Sequence, residues 1–210
     1  MLRLLRWTTL ALTAACSAAA QGAKPKVPAV PLATAGLAGQ PVAVLPLTMV
    51  VSDPALPGGR GPAARTALLQ WADSVLRDVL SERAPEVSWL FPEELRRIAG
   101  RAPGLLPEPD RMGHAVMRNP DFKELPDPLR SQVRQLLALS SGARYALIPA
   151  SLVLAPAGAD SLSVQLSAVL ADGRLGRVMW RTLAVGSGTT ADQAYRAALA
   201  TLLPDPAGTR

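Results

Sequence analysis

The sequence is poor in the residues that carry reactive chemistry. Of its 210 residues, one is cysteine and one is histidine. The cysteine count excludes a disulfide framework, and a lone histidine lacks the second ligand that a zinc site needs. No Gly-x-Ser-x-Gly elbow is present. Gly58-Gly59-Arg60-Gly61 lacks the Lys-Ser/Thr pair and the strand-to-helix setting of a phosphate-binding loop. Aromatic residues make up 4%, so a core has to be built from Leu, Val and Ala. Lysine is scarce beside arginine. The basic residues are scattered, without the patch or stripe that marks a nucleic-acid-binding protein. No apolar stretch reaches the roughly 20 residues needed to span a bilayer.

What is present begins with an export signal. Arg3 and Arg6 form a positive n-region, Trp7 to Ala15 is uncharged and apolar, and Ala18-Ala19-Ala20 fits a small-x-small cleavage site with Gln21 as the new N-terminus. Cys16 directly follows the apolar run and is a candidate lipidation site. The leucine that usually stands three residues before such a cysteine is displaced by one, since Thr13 holds that place and Leu12 precedes it. Two routes stay open: cleavage after Ala20, or acylation of Cys16. Neither leaves a free thiol. Loss of Arg3 and Arg6 lowers the formal net charge from +6 to about +4. Hydrophobic residues, at 49%, suffice for a core, and 20 prolines foretell irregular connections.

Residues 21–40, rich in Ala, Gly, Pro and Lys, read as a flexible linker. The domain is expected over 41–204, followed by a tail at 205–210. Val42 to Leu47 reads as a strand buried on both faces. A helix is expected from about Ala63 to Arg83, with Leu68, Ala72, Val75, Leu76 and Val79 on its apolar stripe and Asp73–Arg77 as an exposed i,i+4 pair. A second strand falls within Glu86–Phe91. Pro92 opens a helix that runs to Gly100. Residues 101–126 form a long proline-broken stretch with one helical turn near Arg111–Arg118. Asp127-Pro128 is expected to cap a helix carrying Leu129, Val133, Leu136 and Leu137 and ending at Gly142. Three strands follow, at Arg144–Leu154, Ser161–Leu170 and Arg177–Val185. The middle one alternates Leu162, Val164, Leu166, Ala168 and Leu170 with polar residues, as a half-solvated antiparallel strand does. The turns at Ala157–Asp160 and Asp172-Gly173 suit hairpins. Thr190 with Gln193 is a capping box for a last helix. The expected fold class is α/β (α+β): a mixed sheet of about five strands with helices on one main face.

Four segments, in order, resemble the amino-terminal domain of TolB and the related FlgO-type envelope domains. They are Val42-Ala43-Val44-Leu45-Pro46-Leu47, Trp71-Ala72-Asp73, Gly142-Ala143-Arg144-Tyr145-Ala146-Leu147-Ile148, and Trp180-Arg181 near the end of the last strand. The resemblance spans residues 41–203. Pro149-Ala150-Ser151 replaces the Gly-Ser-Val usual after the tyrosine strand, segment 101–126 is longer than in that family, and no TolB-type propeller follows. The resemblance implies a non-enzymatic interaction or assembly module of the bacterial envelope, in the periplasm or at the outer membrane. Its partners would be other envelope proteins rather than nucleic acid, with the membrane reached only through N-terminal acylation.

No catalytic, cofactor-binding or metal-binding residues are assigned, and no cofactor is expected. His114 reads as a polar residue on a loop helix. Glu93 and Glu94 diverge by about 100° on a helix and sit in its first turn, where acids favour the dipole. Asp53, Asp172 and Gly173 read as turn residues. Trp71, Trp89 and Trp180 read as packing. Met112, Val116, Met117 and Phe122 are the candidate partner-docking residues, because apolar side chains on a loop either cover the core or mark a surface. The alternative function is a small-ligand-binding or hydrolytic domain with 101–126 as a lid.

Overall fold

The structure, a computed structural model, describes residues 30–54, 56, 62–158 and 160–203. The export signal, Cys16, the phosphate-loop lookalike and the tail lie outside the described residues.

The three-strand meander is the frame. β4 (Tyr145–Pro156), β5 (Leu162–Asp172) and β6 (Arg177–Gly188) pair antiparallel in sequence order. The other edge of β4 takes two short parallel strands, β1 (Pro41–Val44) against Tyr145–Leu147 and β2 (Val50–Ser52) against Leu152–Leu154. β3 (Ser88–Leu90) pairs parallel with β1, completing a six-stranded mixed sheet. The expected strand over Val42–Leu47 is thus shorter than its apolar run. Regular pairing stops at Val44 and resumes at Val50 in a strand that the sequence did not announce.

Helices cover both faces of the sheet, not one. On one face lie α1 (Pro62–Arg83) and α4 (Ala191–Leu202), packing Leu76, Leu80, Tyr195 and Leu199 onto Leu152, Leu166 and Leu170. On the other lie α2 (Pro92–Gly100) and α3 (Leu129–Ala138), joined by Met112, Met117 and Leu125 of the proline-rich segment over Ile148, Ala150, Val169 and Ala171. This second layer explains why β5 is not half-solvated along its length. Its burial alternates only up to Gln165, and from Leu166 to Asp172 every residue is buried.

Smaller differences have local causes. The domain starts before Pro41: Leu32 and Leu37 are buried, and the Leu32 amide donates to the Leu202 carbonyl at 2.7 Å. Residues 32–40 therefore belong to the packed unit, Val30 and Pro31 precede it as exposed chain, and 21–29 of the proposed linker lie outside the described residues. α3 begins at Leu129 with no side-chain cap, because Pro128 itself holds the capping position and Asp127 sits one residue too early. Its last helical residue is Ala138, and a further turn closed by Ala143 N–H to the Ser140 carbonyl reaches Gly142. Half of the box on α4 forms: Thr190 accepts from the Gln193 amide, while the Gln193 side-chain oxygen accepts from the amide and hydroxyl of Thr189 instead of from the Thr190 amide.

α4 seats directly on β6 at Gly186. A Cβ there would lie 2.2 Å from the Ala198 nitrogen and 2.3 Å from the Ala194 carbonyl oxygen. Both are backbone atoms, so no side chain can give way. Gly186→Ala is expected to lower stability by about 1–3 kcal/mol, the usual cost of overpacking. Gly36→Ala, where nothing lies within 4 Å, serves as the silent control in the same thermal melts.

Candidate functional site

Residues 45–49 interrupt the strand that borders β4, and an interrupted strand leaves backbone polar groups to be satisfied otherwise. The main chain returns to β4 at both ends, through Leu45 N–H to the Leu147 carbonyl at 2.9 Å and Leu152 N–H to the Met49 carbonyl at 3.0 Å. Between these points three side chains take over. Asp73 of α1 accepts from the Leu47 amide at 2.8 Å. The Nε2 of His114, on the 3-10 turn His114–Arg118, lies 2.6 Å from the Pro46 carbonyl oxygen, to which it donates. Arg65 donates to the Thr48 carbonyl at 2.7 Å.

Asp73 is therefore not the exposed partner of Arg77. It is 5% exposed and pairs with Arg96 of α2 at 3.2 Å, while Arg77 bonds Glu93. Arg96 in turn holds Asp110 at 2.7 Å, so one guanidinium ties α1, α2 and the proline-rich segment together. Burial pushes the Asp73 carboxyl up to about 6, against the pull of the Leu47 amide and Arg96. His114 stands on a loop helix, as expected, and is fully buried there. Burial lowers its pKa, against the opposing Pro46 carbonyl and the charge of Asp110.

These two groups give opposite pH dependences. Between about pH 4 and 6 the folded chain holds a proton on Asp73 that the unfolded chain has lost, so stability falls as pH rises through that window. The shift from 3.8 to about 6 corresponds to about 3 kcal/mol. His114 works the other way. Below its ordinary value of 6.5 the unfolded chain binds a proton that the folded chain refuses, so stability falls as pH drops. Asp73→Asn should make stability rise more steeply with pH between 4 and 6 than in the wild type, and His114→Gln should make it rise less. Urea denaturation across that range reads both slopes; three parallel profiles would refute the assignment.

The proline-rich segment is folded onto the second layer. Arg181 of β6 donates to the carbonyls of Met117 and Phe122, the latter at 2.9 Å. The Val178 amide donates to the Lys123 carbonyl at 2.9 Å. Of the four candidate docking residues, Met112 is 4% exposed and Met117 is fully buried, both in the core over Ile148 and Ala150. The docking reading is withdrawn for these two, because their side chains cover the sheet. Phe122 packs half-buried against the same cluster, and Val116 is exposed on the turn that buries Met117. Leu105, not among the four, is the most exposed large apolar side chain described, at 81%.

An open groove of about 530 Å³ runs between the end of α2 and this segment, lined among others by Arg96, Gly100, Pro103, Leu106 and Asp110. His114 is not among its lining residues. Asp172 is more than a turn residue. It is buried and accepts from the Arg174 and Leu175 amides at 2.9 and 3.0 Å while pairing with Arg144 at 2.7 Å. Burial opposes its charge, but these donors together hold the carboxyl below its ordinary value. The tryptophans pack as expected. Trp71 tilts against Tyr195, the Trp89 indole donates to the Ala84 carbonyl, and the Trp180 indole donates to the Val30 carbonyl.

Sequence reasoning missed Asp73, Arg96 and Arg181 as organisers. Asp73 had a readable signal: it sits in register with Leu69, Leu76 and Leu80, so a carboxylate lies inside an apolar helical stripe. Arg96 and Arg181 had none, since their partners are distant in sequence.

No family model matches the chain, and no curated protein matches it. The TolB and FlgO resemblance thus rests on its four motifs alone. Among solved structures the chain is similar to the LpoB C-terminal domain from Salmonella enterica, at 14% identity over 70% of this chain and 82% of that one, with a TM-score of 0.35. It is also similar to the lipoprotein GNA1162 from Neisseria meningitidis, at 16% identity over 69% and 78%, with a TM-score of 0.34. A third is the hypothetical protein CT253 from Chlamydia trachomatis, at 12% identity over 70% and 72%, with a TM-score of 0.38.

Proposed function

We propose that the protein is exported and serves in the bacterial envelope as a non-enzymatic interaction module, held through its N-terminal segment and offering the outer side of residues 101–126, at Leu105 and Val116, to another envelope protein. The observation that carries this reading is the N-terminal pattern: Arg3 and Arg6, the apolar run Trp7–Ala15, and Ala18-Ala19-Ala20. A second support is the use made of the buried ionisable groups. Asp73, His114 and Asp172 each hold backbone or an arginine in place, which is a structural task. The ligand-binding or hydrolytic reading has the groove beside Arg96 in its favour, but His114, itself part of the segment that would have to act as the lid, is fully buried and does not line that groove.

The test uses the full gene expressed in a native bacterial host. Intact-mass measurement should find a chain starting at Gln21, or at an acylated Cys16, in the envelope fraction. Photo-crosslinking residues placed at Leu105 and Val116 should then capture the same envelope protein, and one at Gly36, outside the 101–126 segment, should not. A cytoplasmic pool retaining Met1, or capture that is equal at all three positions, would overturn the reading.

A further inference from the structure

We infer that the β5–β6 hairpin end of the domain docks on the surface of an anionic phospholipid bilayer. The turn Gly173–Gly176 puts Leu175 at its tip, 56% exposed, between the exposed Arg174 and Arg177. The turn is held rigidly from three sides. Asp172 accepts from the Arg174 and Leu175 amides. Arg134 of α3 donates to the Arg174 carbonyl at 3.1 Å. Gly176, at φ +74°, lies so close to Arg130 that a Cβ would meet its guanidine nitrogen at 2.8 Å. The apolar tip is therefore presented, not loose.

The charge around it is one-sided. This end carries six cations, Lys123, Arg130, Arg134, Arg144, Arg174 and Arg177, against four carboxylates. Two of the four are engaged: Asp172 is buried against Arg144, and Glu124 pairs with Arg130 at 2.9 Å. The other two, Asp121 and Asp127, lie on the segment leading into α3. Among the described residues no carboxylate pairs with Lys123, Arg134, Arg174 or Arg177. Cations ringing an exposed leucine match a surface that is negative at the headgroups and apolar beneath them. A soluble polyanion would use the arginines but gain nothing from the leucine.

The position of the tether agrees. Val30, the first described residue, is held by Trp180 of β6, five residues from Leu175 along the same stretch of chain. The segment that leads back to the export signal thus leaves the domain from the strand that carries the basic tip.

The experiment is vesicle co-sedimentation of the processed chain purified from its host, with phosphatidylglycerol-rich vesicles and with phosphatidylcholine vesicles. An acyl chain at Cys16 would bind both vesicles alike, so the chain carries Cys16→Ala; the assay then reads a surface of the domain, and its failure is distinct from failure of the export reading. Binding to the anionic vesicles should be about tenfold stronger and should fall to the phosphatidylcholine level in high salt. Arg174→Glu with Arg177→Glu should abolish the difference, and Leu175→Ser should weaken anionic binding about fivefold. All these positions are exposed, and each variant is checked for its fold by circular dichroism before the vesicle assay. Equal binding to both vesicles, or a charge-reversed variant that binds like wild type, would overturn the proposal. Sensitivity to the arginines with a silent Leu175→Ser would overturn it in favour of a soluble polyanion.

Discussion

Replacing residues 103–122 with a short Gly/Ser linker is expected to abolish cooperative unfolding. Met112 and Met117, both in the core, are lost, and each is worth about 2–5 kcal/mol when truncated to alanine. The change also strips Ile148 and Ala150 of their cover and removes the His114 bond to Pro46. Arg96 loses Asp110, and Arg181 loses both of its carbonyl acceptors. Their sum rivals the 5–15 kcal/mol that separates a folded domain from its unfolded chain. The expected thermal trace has no sharp transition, with exposed apolar surface at room temperature. The reading of this segment as a removable docking loop requires the reverse, a sharp transition near the wild-type temperature. That outcome would mean that the second layer is not part of the core.

Leu166→Asp is expected to have a comparable effect by a different route. Leu166 is fully buried on the β5 face beneath α1 and α4, beside Leu152 of β4 and Ala184 of β6. The substitution removes about 2–5 kcal/mol of packing and adds a carboxyl group with no donor in reach of an apolar layer. Most of the domain's stability is consumed, and the chain should be unfolded or barely folded at 25 °C in circular dichroism. Gln165→Asp gives the control. Gln165 is the adjacent residue on the opposite, exposed side of the strand, and a change there should stay within about 0.5 kcal/mol. If the two variants melted alike, the facing of β5 would be wrong.

How far the sequence could be read depended on whether a signal was local. Alternation located β5, the Thr190 box located α4, and the apolar stripe of α1 appeared at its true spacing, because each rests on residues a few positions apart. The break after Val44 escaped notice because its cause is remote. Leu45, Pro46 and Leu47 are all buried and read as strand, and only Asp73 and His114, brought from other elements, show where the backbone leaves the ladder. The second layer escaped for a related reason. Met112, Met117 and Leu125 follow neither a helical nor a strand period, so their burial leaves no pattern in the chain. The same mixture of apolar side chains and prolines suggested docking, and its exposed fraction, Leu105 and Val116, is all that this suggestion retains.

The hydrogen bond between Leu32 and Leu202 joins nearly the first packed residue to nearly the last. Leu32, Leu37 and the final helix share one core with the central strands, so the N-terminal edge of the domain is not fully closed until the C-terminal helix exists. Synthesis runs from the other end. A nascent chain of this protein therefore lacks this closure until α4 has been made. The two ends of the packed unit thus share one seam, and loosening the chain at either Leu32 or Leu202 opens it from both.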